Sequence, residues 1–193
     1  MSRKIAVFIS GSGSNLQAII DAIDDGRLDA SIAVVVSNTP DAYGLQRAAT
    51  HHIPTLVVQP TTGETRDQYS AKLVTAIAPY TPSLICLAGF MKLLGEPILQ
   101  AYPRRIINIH PSLLPAYPGL DVIARAFSDR TSVTGCTIHY VDGGMDTGPI
   151  IAQARVPLHA DDTLASLTER IHTAEHALYP VTIQKVLDHI TAS

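Results

Sequence analysis

The chain has 193 residues, of which 46% are apolar and 16% are charged, and its formal net charge is −3. This apolar content is enough to bury a sizeable core, which excludes a disordered protein or an acidic tail. The weak negative charge argues against a non-specific nucleic-acid binder, although one local loop is still sufficient to hold the phosphate of a small molecule.

The cysteines and the N-terminus indicate the cellular compartment. Cys86 and Cys136 lie in apolar runs without ligand-like spacing, which is typical of buried thiols in a reducing cytosol. The first apolar run is short and glycines follow it at once, so no signal peptide is predicted. No stretch approaches the roughly 18 apolar residues of a membrane span. We therefore predict a cytoplasmic protein without nucleic-acid or membrane partners, and the sequence leaves its oligomeric state open, a homodimer included.

The first 110 residues alternate short apolar runs with helix-length segments. The runs are rich in Val and Ile and apolar on both faces, as buried parallel strands must be; they are Ile5–Ile9, Ile32–Val36, Leu56–Val58, Leu84–Ala88 and Ile106–Ile109. The predicted helices between them are Asn15–Asp24, Ala42–Thr50, Arg66–Ile77 and Glu96–Ala101. We expect Asn15 to cap the first helix and Gly26 to follow its end. This alternation predicts an α/β fold with an open, mostly parallel, Rossmann-like sheet and helices on both faces.

The pattern changes after Pro111. A Pro- and Gly-rich loop precedes a short predicted helix, and two later strands are joined by the turn DGGMDTG before a long C-terminal helix. These elements are predicted at Val122–Phe127, Gly135–Val141, Ile150–Val156 and Leu164–Ile190. Pro180 should kink the last helix. Without an internal repeat or linker, residues 1–193 are predicted to form a single domain.

A glycine-rich loop follows the first strand, with the sequence SGSGSN at residues 10–15. Glycines permit a tight turn and close ligand approach, and the free amides at the start of the next helix favour an anion. The segment matches neither a Walker loop nor a full dinucleotide-binding fingerprint. An anion site and an ordinary tight turn are about equally supported by these residues alone.

Two polar residues interrupt the last apolar run of the first half. Asn108 and His110 are two positions apart, so they project from the same face of a strand near its carboxyl end, where open α/β sheets bind ligands. An Asn and a His at the end of a strand can simply cap the following loop, but polar groups in a buried strand carry an energetic cost unless they have partners, which adds support to a functional pair. These residues alone leave both interpretations open. Asp146 lies in the glycine-rich turn, and the local pattern gives it no particular role.

The last helix contains His172, Glu175 and His176 in the H-x-x-E-H spacing of some zinc peptidases. That class needs another acidic ligand well downstream, whereas only seventeen residues follow His176. We expect an ordinary helical surface there and no metal site. The remaining histidines, which share no spacing and receive no predicted role, are His51, His52, His139, His159 and His189.

Several ordered motifs resemble the phosphoribosylglycinamide formyltransferase family, which uses 10-formyltetrahydrofolate. They are IAVFISGSGSNLQAII, LAGFMKLL, INIHPSLLPAYPGLD, MDTGPI and AEHALYP, and they extend over nearly the whole chain. The motif NIHPSLLP with a downstream Asp is typical of formyltransferases that use this folate, and GSGSNLQ points to the glycinamide ribonucleotide type. The resemblance implies that residues 1–110 form a nucleotide-binding-like half and residues 111–193 a folate and catalytic half.

The resemblance also assigns residues to roles. It places the phosphate and ribose of the substrate at Gly13, Ser14 and Asn15, with Glu175 near the glycinamide amine. The folate pocket would involve Arg66, Met91, Lys92, Leu93, Leu94 and Asn108. Many relatives have Arg where Lys92 stands, and Lys lacks the planar fork needed for a bidentate contact. The catalytic residues implied are Asn108, His110 and Asp146, with no metal.

These roles predict a direct transfer, in which the glycinamide amine attacks the formyl carbon of 10-formyltetrahydrofolate. Asn108 and a protonated His110 would donate hydrogen bonds to the oxyanion of the tetrahedral intermediate. Asp146 would favour the charged form of His110, and the departing folate nitrogen would gain a proton from His110 or through water.

Three alternatives remain open on the sequence. A methionyl-tRNA formyltransferase would share the Asn–His–Asp set but usually adds a C-terminal nucleic-acid-binding domain. A formyltetrahydrofolate hydrolase usually carries an N-terminal regulatory domain, whereas the first strand here begins near residue 4. A non-catalytic nucleotide-binding module is opposed only by the polar trio.

Overall fold

One seven-stranded sheet organises the structure, a computed structural model that describes residues 3–192. The strands are β1 (Lys4–Ile9), β2 (Ser31–Ser37), β3 (Thr55–Val57), β4 (Leu84–Leu87), β5 (Ile106–His110), β6 (Val133–Tyr140) and β7 (Ile150–Pro157). The helices are α1 (Ser14–Asp24), α2 (Tyr43–Thr50), α3 (Arg66–Ile77), α4 (Glu96–Ala101), α5 (Val122–Ser128) and α6 (Leu164–Ala192), and a 3₁₀ turn covers Ala78–Tyr80.

The strand order is β3-β2-β1-β4-β5-β6-β7. The first five strands are parallel, and β6 and β7 extend the sheet in antiparallel fashion. Since β1 pairs with both β2 and β4, the order of the strands reverses beside β1. Open α/β sheets bind ligands outside the carboxyl ends of their strands at such a switch point. The predicted open, mostly parallel sheet is confirmed.

Two apolar layers cover the faces of the sheet, and β1 contributes to both. Ile5 and Val7 pack in a core that includes residues of α1 and α6, whereas Ala6 and Phe8 pack in a core with residues of α3 and α4. Successive side chains of a strand point to opposite faces, so a strand covered on both sides must be apolar throughout. This arrangement explains the uninterrupted apolar runs of the sequence.

Most predicted element boundaries agree with the structure to within two residues, and α3 and α4 agree at both ends. The predicted Asn15 cap is wrong. Gly13 occupies the cap position with φ 69°, and Asn15 lies inside the first turn with its side chain directed to α6. Helix α6 continues through Pro180, and the predicted kink stays a prediction.

No helix within residues 3–192 is both long and apolar enough to cross a membrane.

Candidate active site

A cavity of about 770 Å³ opens at the carboxyl ends of β1, β4 and β5. Its walls include the glycine-rich loop after β1, the segment after β4, the turn between β6 and β7, and one face of α6. The predicted site residues that line it are Gly13, Ser14, Asn15, Met91, Lys92, Leu93, Asn108, His110, Asp146 and Glu175. Residues far apart in sequence are therefore brought to one site at the switch point of the sheet.

The glycine-rich loop is held against the start of α2. A Cβ atom on Gly13 would lie 2.6 Å from the Cα of Gly44, so the close approach and the left-handed backbone both require glycine at position 13. Arg47 donates from Nε to the Ser12 carbonyl at 2.9 Å. The loop thus presents the first turn of α1, whose amides lack intrahelical partners, to the cavity.

Asn15 and Glu175 form a buried pair beside this loop. Asn15 Nδ2 donates to Glu175 Oε2 at 3.1 Å, and Glu175 is 4% exposed. Burial raises the pKa of Glu175 to about 7, and the hydrogen bond from Asn15 offsets only part of that effect. Asn15 Oδ1 is buried without a hydrogen-bond partner in the described part of the chain. The pair therefore offers acceptor oxygens to a ligand that carries hydroxyl or amine groups.

The structure also brings together Asn108, His110 and Asp146. The first two alternate on β5, and His110 Nδ1 lies 3.5 Å from Asp146 Oδ2. Asp146 stands in the turn with φ 57°, and its Oδ2 accepts the Gly119 amide at 2.9 Å. Burial raises the pKa of Asp146, but the hydrogen bond from the Gly119 amide and the nearby His110 favour its carboxylate, and the net effect is a lowered pKa. Asp146 is therefore a carboxylate at neutral pH.

The loop from residue 111 to 121 covers His110. His110 Nε2 lies 2.9 Å from the Tyr117 carbonyl, and because a carbonyl only accepts, this nitrogen donates. Ser112 Oγ donates to the same carbonyl at 3.2 Å, and Thr137 Oγ1 donates to the Ser112 carbonyl at 2.6 Å. In this arrangement both ring nitrogens of His110 face groups of the protein.

His139 is a site residue that the sequence analysis missed. It lies on β6 directly opposite Asn108, is 2% exposed, and has its Nε2 3.2 Å from Asn108 Nδ2 and 3.7 Å from Asp146 Oδ1. The cost of burying a polar side chain in an apolar strand pointed to Asn108 and His110, and the same argument applies to His139.

Only some of the predicted folate-binding residues line the cavity. Met91, Lys92 and Leu93 line the cavity, and the Met91 amide donates to Ser10 Oγ at 2.8 Å, which ties this segment to the glycine-rich loop. Leu94 is buried in the core beside α3 and α4 and does not line the cavity. Arg66 also lies outside the lining and donates to the Gly143 carbonyl at 3.1 Å, in the turn that carries Asp146.

The zinc-peptidase spacing on α6 does not form a metal site. His172 and His176 stack with their ring centroids 6.2 Å apart, while Glu175 is bonded to Asn15. Within residues 3–192, no group of three His, Cys, Asp or Glu side chains is placed to hold a metal ion.

Comparisons with known proteins show the family of this chain. Residues 3–183 match the family described as formyl transferase. A phosphoribosylglycinamide formyltransferase of Bacillus subtilis is 44% identical over 185 residues, covering 96% of this chain and 95% of that protein. Its namesake in Escherichia coli is 41% identical over 184 residues, covering 95% and 87%.

A solved structure is similar over almost the same range. Glycinamide ribonucleotide transformylase 1 from Symbiobacterium toebii superposes with a TM-score of 0.93 at 45% identity, covering 97% of this chain and 89% of that chain. The match thus includes both the fold and the sequence over nearly the whole chain. This chain belongs to the formyl transferase family, and within it to the phosphoribosylglycinamide formyltransferases.

Proposed function

We propose that this protein transfers the formyl group of 10-formyltetrahydrofolate to the amine of 5-phosphoribosylglycinamide, a step of de novo purine biosynthesis. The observation that carries the proposal is one cavity that joins a helix N-terminus to the Asn–His–Asp cluster. The strands β1 and β5, which carry these two features, are separated only by β4, so the features lie about 10 Å apart across the sheet edge. A substrate with a phosphate at one end and an amine at the other fits that arrangement.

The glycine-rich loop is the proposed phosphate site. The backbone of Gly13 and Ser14 and the start of α1 would bind the phosphate, because amides at a helix N-terminus stabilise an anion. Asn15 and Glu175 would meet the hydroxyl and amine groups of the same substrate. The buried acceptor oxygens of this pair support that placement.

The segment after β4 is the proposed folate wall. Met91 and Leu93 are exposed apolar side chains at the cavity, where they would cover the folate, while Lys92 supplies a positive charge for its carboxylates. Leu94 would support this wall from the core beneath. Arg66 donates from Nη1 to the Gly143 carbonyl and so steadies the turn of Asp146, and its other guanidinium N–H groups would contact the folate.

The chemistry assigned to the cluster is oxyanion stabilisation. The neutral amine forms a bond to the formyl carbon, and the carbonyl electron pair moves to the oxygen, toward which Asn108 and His110 donate hydrogen bonds. Donors aimed at developing charge are commonly a large catalytic contribution, and loss of one costs about 3 kcal/mol. Asp146 faces Nδ1 of His110 as a carboxylate and stabilises its positive charge.

Collapse of the intermediate then breaks the bond between the formyl carbon and the folate nitrogen, which takes a proton as the former amine loses one. His110 must first exchange the Tyr117 carbonyl for the substrate oxygen, since Nε2 donates to that carbonyl. The loop from residue 111 to 121 would therefore shift on the path to reaction.

The proposal extends to organisation and location. Residues 1–110 would supply the nucleotide-binding-like half and residues 111–193 the folate and catalytic half, and the cavity draws its walls from both. The cytoplasm is the proposed compartment, with small molecules rather than nucleic acid or a membrane as partners. A homodimer is compatible with this function but is not required by it, because this single chain supplies all the proposed site residues.

One assay tests the function. The protein is mixed with 10-formyltetrahydrofolate, with and without 5-phosphoribosylglycinamide, and the release of tetrahydrofolate is followed. Release that depends on the acceptor is the expected result. Release without the acceptor would instead identify a hydrolase, and no release under either condition would leave a binding module.

A further inference from the structure

His139 has no part in the chemistry derived so far, yet it occupies the position opposite Asn108 in the sheet. It pairs with Asn108 across β5 and β6, in a register that places both side chains on the same face. A buried imidazole must satisfy two nitrogens with different hydrogen-bonding roles. The partners of those nitrogens determine what His139 can do.

The hydrogen-bond partners of His139 indicate which of its two ring nitrogens carries a proton. Nδ1 lies 2.8 Å from the carbonyl oxygen of Tyr140, and because that oxygen can only accept, Nδ1 carries a proton. In a neutral ring Nε2 is then an acceptor. Its hydrogen-bond partner is Asn108 Nδ2 at 3.2 Å, a donor.

Asp146 is the other group near Nε2, but its Oδ1 is 3.7 Å away, beyond a normal hydrogen bond. A proton on Nε2 would be directed at that carboxylate and would place two donors, Nε2 and Asn108 Nδ2, against each other. The shorter distance and the donor character of Nδ2 favour the neutral ring with Nε2 unprotonated.

We infer that His139 is a positioning residue that fixes the carboxamide of Asn108 with its nitrogen toward the neighbouring strand. This inference rests on the proposed function. One N–H of Asn108 is bonded to His139, and the second N–H donates to the formyl oxygen in the transition state. Rotating the carboxamide by half a turn would place Oδ1 against the lone pair of Nε2, and would also exchange a donor for an acceptor at the oxyanion.

Two substitutions at this position form a matched pair. In His139→Gln the terminal amide reaches the position of Nε2 and retains an acceptor for Asn108. In His139→Asn the shorter amide reaches only the position of Nδ1, where it bonds the Tyr140 carbonyl and leaves Asn108 without a partner. We expect His139→Asn to lower kcat about 100-fold with KM nearly unchanged, and His139→Gln to stay within about threefold of the wild type. Equal losses in the two folded variants would overturn the inference.

A double-mutant cycle separates action through Asn108 from action through Asp146. In an Asn108→Ala background, His139→Asn should have no further effect on kcat. The full loss persisting in that background would contradict the inference.

A final measurement requires no activity. The long-range ¹H–¹⁵N spectrum of the wild-type protein should show His139 protonated at Nδ1 and not at Nε2, whereas a proton on Nε2 would overturn the inference. This spectrum does not depend on turnover, so the two failures can be told apart. A wild-type protein that transfers no formyl groups would refute the proposed function. The protonation of the His139 ring nitrogens would still be read from the spectrum.

Discussion

Two polar groups of residues line the same cavity, and they differ in how far the protein satisfies them. The proposed binding pair, Asn15 and Glu175, leaves Asn15 Oδ1 buried without a partner in the described chain. The proposed catalytic cluster, Asn108, His110 and Asp146, is connected through the His110–Asp146 contact and is held by the Tyr117 carbonyl at His110 and by His139 behind Asn108. The first has an acceptor oxygen available to a ligand, whereas in the second His110 would have to exchange its hydrogen bond with the Tyr117 carbonyl before it acts.

This difference suits the two tasks. A substrate with donor groups would complete the hydrogen bonds of the binding pair, so this pair would contribute to affinity. A connected cluster holds its side chains in place before the reaction, which is how preorganised groups stabilise a transition state. Changes in the binding pair should therefore alter affinity, and changes in the catalytic cluster should alter turnover.

The largest effect is expected in the catalytic cluster. His110→Ala removes a proposed oxyanion donor and should lower kcat about 1,000-fold, while the affinity for 5-phosphoribosylglycinamide stays nearly the same. Steady-state kinetics combined with calorimetric binding checks both values. The exposed His159 lies outside the cavity, so His159→Ala is the control with wild-type kcat. A His110→Ala variant weakened mainly in binding would break the distinction between the two groups.

The glycine-rich loop should lose both stability and affinity when Gly13 is replaced. Gly13→Ala adds a Cβ 2.6 Å from the Gly44 Cα at a residue with φ 69°, and should lower the free energy of unfolding by about 3 kcal/mol. Urea titration measures this loss. Gly26→Ala is the matched control, because its φ is 78° and no atom lies within 4 Å of the added Cβ. Only Gly13→Ala should also raise KM for the phosphorylated substrate. If both variants lost the same stability and showed the same KM, backbone strain alone would account for the stability loss, and the contact with Gly44 would not contribute.

The free energy of unfolding should depend on pH through Glu175. Its pKa is raised from 4.5 to about 7, so the folded protein holds this proton more tightly than the unfolded chain. The contribution of Glu175 to the free energy of unfolding is therefore full below pH 4.5 and falls as pH rises toward 7. Glu175→Gln removes this dependence, and its stability relative to the wild type should rise by about 2 kcal/mol between pH 5 and pH 8.

Urea titrations of both proteins at the two pH values measure that change. The same variant should bind 5-phosphoribosylglycinamide about tenfold more weakly at pH 8, because a carboxylate acceptor is lost. A relative stability that does not change with pH would contradict the buried, proton-holding state of Glu175.

The smallest effect is expected at Lys92. This side chain is exposed at the cavity and screened by solvent, so Lys92→Gln should raise KM for the folate by less than about tenfold. Kinetics at low and high salt test the electrostatic origin, since the difference should diminish in high salt. A difference that persists at high salt would indicate a direct hydrogen bond instead.

The sequence predicted the sheet well because buried parallel strands must be apolar on both faces. It predicted the bounds of α3 and α4 and the strand that carries Asn108 and His110. Asn15 was predicted to cap α1, since the local pattern does not reveal a buried partner on α6, 160 residues away. The path of the loop that brings Tyr117 to His110 is likewise set by tertiary contacts, such as that of Thr137 with Ser112.

His139 shows a different limit. Its strand was predicted, and its polarity in an apolar run was visible, but pairing with Asn108 depends on the antiparallel register of β5 and β6. That register is a property of two strands separated by a loop and a helix, which periodicity within either strand does not determine. Asp146 was tied to the trio by family resemblance, since an Asp in a turn has many local uses.

The most direct test of the account is the transfer of an isotopically labelled formyl group in a single turnover, with both substrates saturating. The wild-type protein should move the label from 10-formyltetrahydrofolate to 5-phosphoribosylglycinamide. Asn108→Ala should do so about 100-fold more slowly, with an unchanged dissociation constant for 5-phosphoribosylglycinamide. A variant that transfers the label at the wild-type rate would contradict the assignment of this cluster to the reaction.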